Sequence, residues 1–162
     1  MNYAGCDGMK RKICFMIGHR DTEETVYPAL QRAVRQHVAE YGVNEFVVGR
    51  YGQFDRLAAH AVRCVKEEYP QVILTLLQPY YAEKPSSIQT DLFDHIWYPS
   101  QMEHVPYRFA IVRANRCAVE HADHLIAYVH RTPSQAGALL AYARRRETQG
   151  KMIVFSLTDF LL

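Results

Sequence analysis

Short apolar runs alternate along this chain with segments whose apolar residues recur at helical spacing. The continuous runs lie at 12–17, 45–49, 72–77, 124–129 and 152–157. Such runs are typical of strands buried on both faces of a sheet. Between the first two runs, Val26, Leu30, Val34 and Val38 recur every three to four positions, which predicts an amphipathic helix.

The order of these segments predicts an α/β fold with three layers. Parallel strands joined by right-handed helical crossovers place helices on both faces of a sheet. We therefore expect a Rossmann-like, doubly wound and mainly parallel sheet. The first helix is predicted to begin at an N-cap supplied by Asp21 or Thr22 and to stop at Gly42. Further helices are predicted near 54–69, 87–93, 105–121 and 134–148, with a short strand at 95–98.

The length of 162 residues fits one domain, which we assign to residues 12–162. Residues 1–11 are glycine-rich and lack an apolar pattern, so we expect a disordered tail there. Met9 is an alternative to Met1 as the natural start.

The loops that follow the strands carry the residues best suited to bind a ligand. In a doubly wound sheet, ligands bind outside the carboxyl ends of the strands. Arg20, Arg50 and Arg131 lie in these loops, and a guanidinium group suits phosphate. The loop from Thr132 to Gly137 opens the last helix, whose N-terminus is a natural anion-binding position. These features predict a small phosphate-bearing ligand.

The helix before the apolar run 124–129 adds the polar side chains of Arg113, Asn115 and Arg116, which point to the same ligand. Asp55 is predicted to cap the second helix or to meet a ribose hydroxyl. Tyr51, Tyr80 and Tyr81 are candidates to flank a nucleobase. The complete set of candidate ligand-binding residues is Gly18, His19, Arg20, Gly49, Arg50, Gly52, Asp55, Pro79, Tyr80, Arg113, Asn115, Arg116, Thr132, Ser134, Gln135 and Gly137.

Composition and missing motifs exclude several other classes. A net charge of +2 offers no broad basic face and argues against a nucleic-acid partner. No apolar run is long enough to span a bilayer, which argues against a membrane partner. The four cysteines form no C-x-x-C pair, so we expect a reducing, cytoplasmic location and no metal site. Neither G-x-G-x-x-G nor a P-loop motif is present, and no resident cofactor is expected.

Four segments resemble motifs of the SLOG superfamily, a Rossmann-like group that includes LOG-type phosphoribohydrolases and the DprA/Smf DNA-processing proteins. They are Ile17-Gly18-His19-Arg20, the stretch 48–59, Arg113-Ala114-Asn115-Arg116 with the acidic positions after it, and the loop 132–137 with its helix. The resemblance covers residues 12–157, and within the superfamily it looks most like the small YpsA-like branch. It implies a Rossmann-like fold, a nucleotide or ribose-phosphate site, and a homo-oligomer, because related domains often dimerise.

Departures from the superfamily pattern bear on catalysis. Arg50 replaces one glycine of a pair, and Ser134 and Gln135 stand in a loop that is glycine-rich in relatives. Leu140 and Ala141 occupy the positions of the catalytic glutamates of LOG enzymes. We therefore predict a binding protein, a sensor or accessory factor, rather than an enzyme.

Two alternatives remain open. A nucleotide N-glycosidase or phosphoribohydrolase would need His19, Asp55 or Glu120 as its acid or base. The second alternative is a DprA-like protein associated with DNA, which the resemblance to the DprA/Smf proteins implies.

Overall fold

The computed structural model describes residues 10–81 and 90–160. Residues 1–9 of the predicted tail, and with them the choice between Met1 and Met9, lie outside this range. Lys10 and Arg11 are in contact with the domain: the Asn44 amide donates to the Lys10 carbonyl, and Arg11 pairs with Glu45 at 3.4 Å. Residues 87–89 of the helix predicted at 87–93 also lie outside the described residues, and the remainder contains a 3-10 turn at Thr90–Leu92 in place of an α-helix.

Strands and helices alternate as the apolar pattern predicts. The strands are β1 Ile13–Gly18, β2 Glu45–Val48, β3 Ile73–Leu77, β4 His95–Trp97, β5 His124–Tyr128 and β6 Ile153–Ser156. The helices are α1 Tyr27–Ala39, α2 Gln53–Glu68, α3 Ala110–His121 and α4 Gln135–Thr148. Within residues 10–81 and 90–160, none of the helices combines the length and the apolar character that crossing a bilayer requires.

The six-stranded sheet has the order β4-β3-β2-β1-β5-β6, and every neighbouring pair runs parallel. The chain builds outwards from β1 through β2 and β3 to β4, then crosses to the other side of β1 to form β5. The order therefore reverses at β1, which makes the crevice beside β1 and β5 the topological switch point. The predicted Rossmann-like, doubly wound fold is confirmed.

Two hydrophobic clusters lie on opposite faces of the sheet. Successive side chains of a strand point to opposite faces, so Met16 packs with the α1 and α2 side while Phe15 packs with the α3 and α4 side. Phe46 and Leu125 are fully buried on these two faces. The sheet is thus covered on both sides, as its continuous apolar strands require.

Helix α1 begins later than its sequence pattern predicts. The expected N-cap at Asp21 or Thr22 is wrong, because α1 starts at Tyr27 after a 3-10 turn, with Pro28 in its first turn. Thr22 instead donates its hydroxyl to the His19 carbonyl at 2.7 Å. Helix α3 likewise starts at Ala110 rather than near 105, because extended backbone at Pro106 and a 3-10 turn precede it.

The end of β1 touches the first turn of α2. A Cβ atom on Gly18 would lie 2.2 Å from Cγ of the buried Phe54 ring. Only glycine therefore allows this approach, which brings the loop after β1 against the loop after β2.

Replacing Gly18 by alanine tests that close contact. We expect Gly18→Ala to lower the free energy of unfolding by about 1–3 kcal/mol, because the added methyl group overpacks the site. Urea denaturation measures the change. In a Phe54→Ala background, which removes the ring, the cost of Gly18→Ala should fall. An unchanged midpoint for Gly18→Ala in the wild-type background would contradict this packing.

Candidate functional site

Loops after β1, β2, β3 and β5 enclose a cavity of about 300 Å³ at the switch point. This volume lies at the small end of the range for small-molecule sites. Ten of the sequence candidates line it: Gly18, His19, Arg20, Gly49, Gly52, Asp55, Pro79, Asn115, Ser134 and Gln135. The lining does not include Arg50, Tyr80, Arg113, Arg116, Thr132 or Gly137.

The two arginines of the R-x-N-R segment lie on another face of α3. Arg113 and Arg116 line a second cavity of about 370 Å³, together with Glu120. The Arg116 guanidinium stacks 4.4 Å from the ring centroid of Tyr142, whose hydroxyl donates to Glu120 at 2.8 Å. A helix turns about 100° per residue, so successive residues lie on different faces, and of this segment Ala114 and Asn115 line the first cavity while Arg113 and Arg116 line the second.

Ser134 shapes the anion-binding end of α4. It is the N-cap residue, with extended backbone, and its Oγ accepts the Gly137 N–H at 3.0 Å while donating to the Arg131 carbonyl at 2.6 Å. A Cβ on Gly137 would lie 2.1 Å from the Thr132 carbonyl oxygen, so these two residues set the loop's shape from outside the cavity.

The first turn of α4 lines the cavity. Gln135 and Ala136 both line it and belong to the first turn of a 14-residue helix. The amides of a first turn have no acceptor within their own helix, and the helix dipole is positive there. This end of the cavity is therefore suited to an anion.

His19 joins the loop after β1 to the loop after β5. It is 4% exposed, and its Nε2 accepts the backbone N–H groups of His130 at 3.1 Å and Arg131 at 3.3 Å. Burial, with the nearby Arg131 and His130, lowers the pKa of His19 below its usual value. The ring is therefore neutral at pH 7, with its proton on Nδ1. A nitrogen that already accepts two backbone donors is not free to act as a base.

The two arginines that line the cavity have different partners. Arg131 donates two hydrogen bonds to Asp21, at 2.9 and 2.7 Å, and this contact lowers the pKa of Asp21 to about 2. Arg20 has no carboxylate within ion-pair distance among the residues that the structure describes. Its charge is thus available to a ligand in the cavity.

Asp55 supplies the only carboxylate among the described residues that line this cavity. Its Oδ2 accepts the Tyr51 N–H at 2.9 Å. Burial raises the pKa of Asp55 to about 6, against the opposing effects of that hydrogen bond and of Arg20. The group is ionised at pH 7 and titrates just below it. In the described ranges, no three His, Cys, Asp or Glu side chains are grouped so that they could hold a metal ion.

Sequence reasoning left several lining residues out of the candidate set. Ile111 lies four residues before Asn115 on the same face of α3, so helical periodicity could have identified it. Leu139 lies four residues after Gln135 on α4 in the same way. Arg131 was noted only as one of three loop arginines, because its pairing with Asp21 joins residues that are distant in sequence.

Solved structures of other proteins share this fold. DNA processing protein A (DprA) from Streptococcus pneumoniae superimposes with a TM-score of 0.64 at 13% identity, over 90% of this chain and 50% of that chain. The molybdenum cofactor binding protein of Rippkaea orientalis gives 0.59 at 16% identity, over 92% and 78%. The molybdenum cofactor carrier protein of Chlamydomonas reinhardtii gives 0.56 at 14%, over 91% and 76%.

The similarity of this chain to these proteins is a similarity of fold. The chain spans half the length of the DprA structure. At 13–16% identity these structures show the fold alone, so membership of the SLOG superfamily and of its YpsA-like branch stays a prediction. The chain matches no protein-family model and no curated protein sequence.

The bonding of His19 predicts a specific dependence of stability on pH. We expect His19→Ala to lower the free energy of unfolding at pH 7 by about 1–3 kcal/mol, because two backbone donors lose their acceptor. The folded pKa of His19 is lowered, so the unfolded chain binds more protons below about pH 6.5 and the stabilisation fades as the pH falls.

The measurement is the difference in unfolding free energy between wild type and His19→Ala at pH 7, 6 and 5. His37 and His124 also have lowered pKa values, so only this difference isolates His19. The exposed His60, replaced by alanine, is the control and should show a small difference at every pH. A difference for His19→Ala that stays constant with pH would contradict the assignment.

Proposed function

We propose that the first cavity binds the ribose-phosphate portion of a nucleotide or nucleotide derivative, and that the protein acts as a sensor or accessory factor. One observation carries the proposal: the cavity has an anion-binding end, formed by α4 and Arg20, and a carboxylate at Asp55. A ribose phosphate has the matching groups, an anion and hydroxyl donors on one small molecule.

The phosphate would lie against the N-terminus of α4. The amides of Gln135 and Ala136 would donate to its oxygens, and the helix dipole adds about 0.3–1 kcal/mol, more where the site is partly buried. Arg20 would supply a charged donor. Arg131 is already neutralised by Asp21 and contributes less.

The sugar would lie against Asp55 and Asn115. In the described part of the chain, the hydrogen bond from Tyr51 occupies one carboxylate oxygen of Asp55, which leaves the other to accept ribose hydroxyls. The Asn115 amide can donate to one oxygen and accept from another. An ionised Asp55 also repels a phosphate, which favours a ligand orientation with its phosphate at α4.

Leu140 supports binding without hydrolysis. By the resemblance to LOG enzymes this position would carry a catalytic glutamate, and here its side chain packs against the core on the α3 and α4 side of the sheet. We place the chain in the YpsA-like branch of the superfamily as part of this proposal.

Replacing Arg20 tests the phosphate site. We expect Arg20→Ala to weaken the binding of ribose 5-phosphate about 10- to 100-fold, since a hydrogen bond to a charged group is lost. Titration calorimetry measures the affinity. Arg113→Ala is the matched control, because Arg113 faces the second cavity and should leave affinity unchanged. Equal losses in both variants, or no binding by ribose 5-phosphate or any nucleoside 5′-monophosphate, would contradict the proposal.

Lowering the pH tests the role of Asp55. We expect wild-type affinity for ribose 5-phosphate to fall between pH 7 and pH 5, because a carboxyl with a pKa of about 6 becomes protonated and loses an acceptor. Inorganic phosphate is the control ligand, since its own ionisation changes over the same range but it has no ribose hydroxyls. In Asp55→Asn the two ligands should show the same pH dependence. If the affinities for ribose 5-phosphate and inorganic phosphate changed equally with pH in the wild-type protein, that result would contradict a sugar contact at Asp55.

A second function, N-glycosidic cleavage of a nucleotide, is favoured by one observation. The pKa of about 6 at Asp55 suits a general acid or base near neutral pH. His19 has its Nε2 occupied, and Glu120 lines the other cavity, so Asp55 would have to act alone among the three. Chromatography of nucleoside monophosphates incubated with wild type and Asp55→Asn tests this function. Base release that requires Asp55 would establish it.

The similar structures point to two other ligand classes, DNA and the molybdenum cofactor. A single-stranded oligonucleotide and the molybdenum cofactor therefore belong in the same calorimetric panel. Binding of either one, weakened by Arg20→Ala and not by Arg113→Ala, would replace ribose phosphate as the ligand of this cavity.

A further inference from the structure

Two tyrosines form a stacked pair between the loop after β3 and the start of α3. The ring centroids of Tyr80 and Tyr107 lie 4.2 Å apart with 16° between the planes, and the Tyr80 hydroxyl donates to the Tyr107 carbonyl at 3.5 Å. Tyr107 nevertheless remains 75% exposed. Tyr80 therefore covers one face of the Tyr107 ring and leaves the opposite face open.

The stacked pair lies beside residues that line the first cavity. Pro79, directly before Tyr80, lines that cavity, and so does Ile111, four residues after Tyr107 in the first turn of α3. The side chain of Tyr51, another lining residue, is close enough for Tyr107 to help raise its pKa. An open aromatic face thus adjoins the space that would hold the ribose phosphate.

We propose that Tyr107, backed by Tyr80, is a stacking platform for a planar heterocycle, so that the ligand is a nucleoside phosphate rather than a plain sugar phosphate. This inference rests on the proposed function of the cavity. A ring that already stacks on one side is held in place, so a second ring can stack on its open face with little loss of side-chain freedom.

Neighbouring exposed aromatic residues lack this arrangement. Phe109 is 51% exposed, and the Arg108 guanidinium lies 4.7 Å from its ring centroid. Tyr81 is 74% exposed and meets Tyr98 edge-on, with centroids 6.2 Å apart. Among the described residues, neither Phe109 nor Tyr81 stacks face to face on a second ring, which makes Phe109 a suitable control for the effect of exposed aromatic area as such.

The experiment compares ribose 5-phosphate with the tightest-binding of the four common nucleoside 5′-monophosphates, by calorimetry at pH 7. We expect the nucleotide to bind about tenfold more tightly in wild type, the scale of one aromatic stacking contact. Tyr107→Ala should abolish that advantage and leave ribose 5-phosphate affinity unchanged. Tyr107→Phe should keep the advantage, and Phe109→Ala should keep it as well.

Each other outcome decides against the platform or against the site itself. Equal affinities for the two ligands in wild type would overturn the platform and leave the ribose-phosphate site standing. Absence of binding by both would overturn the site. Equal weakening of both ligands by Tyr107→Ala would show that Tyr107 supports the cavity rather than the heterocycle. Loss of the advantage in Phe109→Ala would assign the effect to the exposed apolar surface in general.

Discussion

The site depends on one neutral imidazole. His19 leaves the end of β1 and accepts two backbone N–H groups from the start of the loop after β5, and both strands flank the switch point. Buried backbone donors need acceptors, so a protonated His19 would leave this junction without its hydrogen bonds. The same loop continues to Ser134, which caps α4 and bonds back to the Arg131 carbonyl. The loop that leads into α4 is therefore held by the neutral form of a residue in a different loop, the one after β1.

The junction between the loops after β1 and β5 also determines which charged groups of the site are paired. Asp21, next to His19 in the loop, neutralises Arg131 through two hydrogen bonds, while Arg20 lines the cavity without such a partner in the described ranges. Asp55 is held on the α2 side by the Tyr51 N–H. Among the described residues, the cavity consequently has a positive part formed mainly by backbone and Arg20, and a single ionised carboxylate, that of Asp55. A ligand with one anionic group and several hydroxyl groups satisfies both parts, and a purely anionic ligand does not.

The sequence alone predicts the strand and helix order, because burial on both faces leaves continuous apolar runs such as 72–77. It also predicts that the loops after the strands meet. It misplaces the start of α1, since Thr22 and Asp21 have capping chemistry but bond elsewhere: Thr22 to the His19 carbonyl in its own loop, and Asp21 to Arg131 in the loop after β5. It also groups Asn115 with its neighbouring arginines, although they line different cavities. Helical periodicity shows that these residues occupy different faces of α3, but it does not show which face meets the edge of the sheet.

The departures from the superfamily pattern have unequal consequences for binding and for chemistry. Ser134 stands where relatives have glycine, yet its backbone is extended, a conformation open to any residue, and its hydroxyl completes the helix cap. The close approach that excludes a side chain occurs at Gly137, which this chain retains. The proposed phosphate site is compatible with the substitution, because the amides of a helix N-terminus do not depend on side-chain identity. Catalysis of the LOG type does depend on a glutamate side chain, and Leu140, which stands at that position in the resemblance, is partly buried and packs against the core. The proposed site could therefore bind a ligand without supplying that catalytic group.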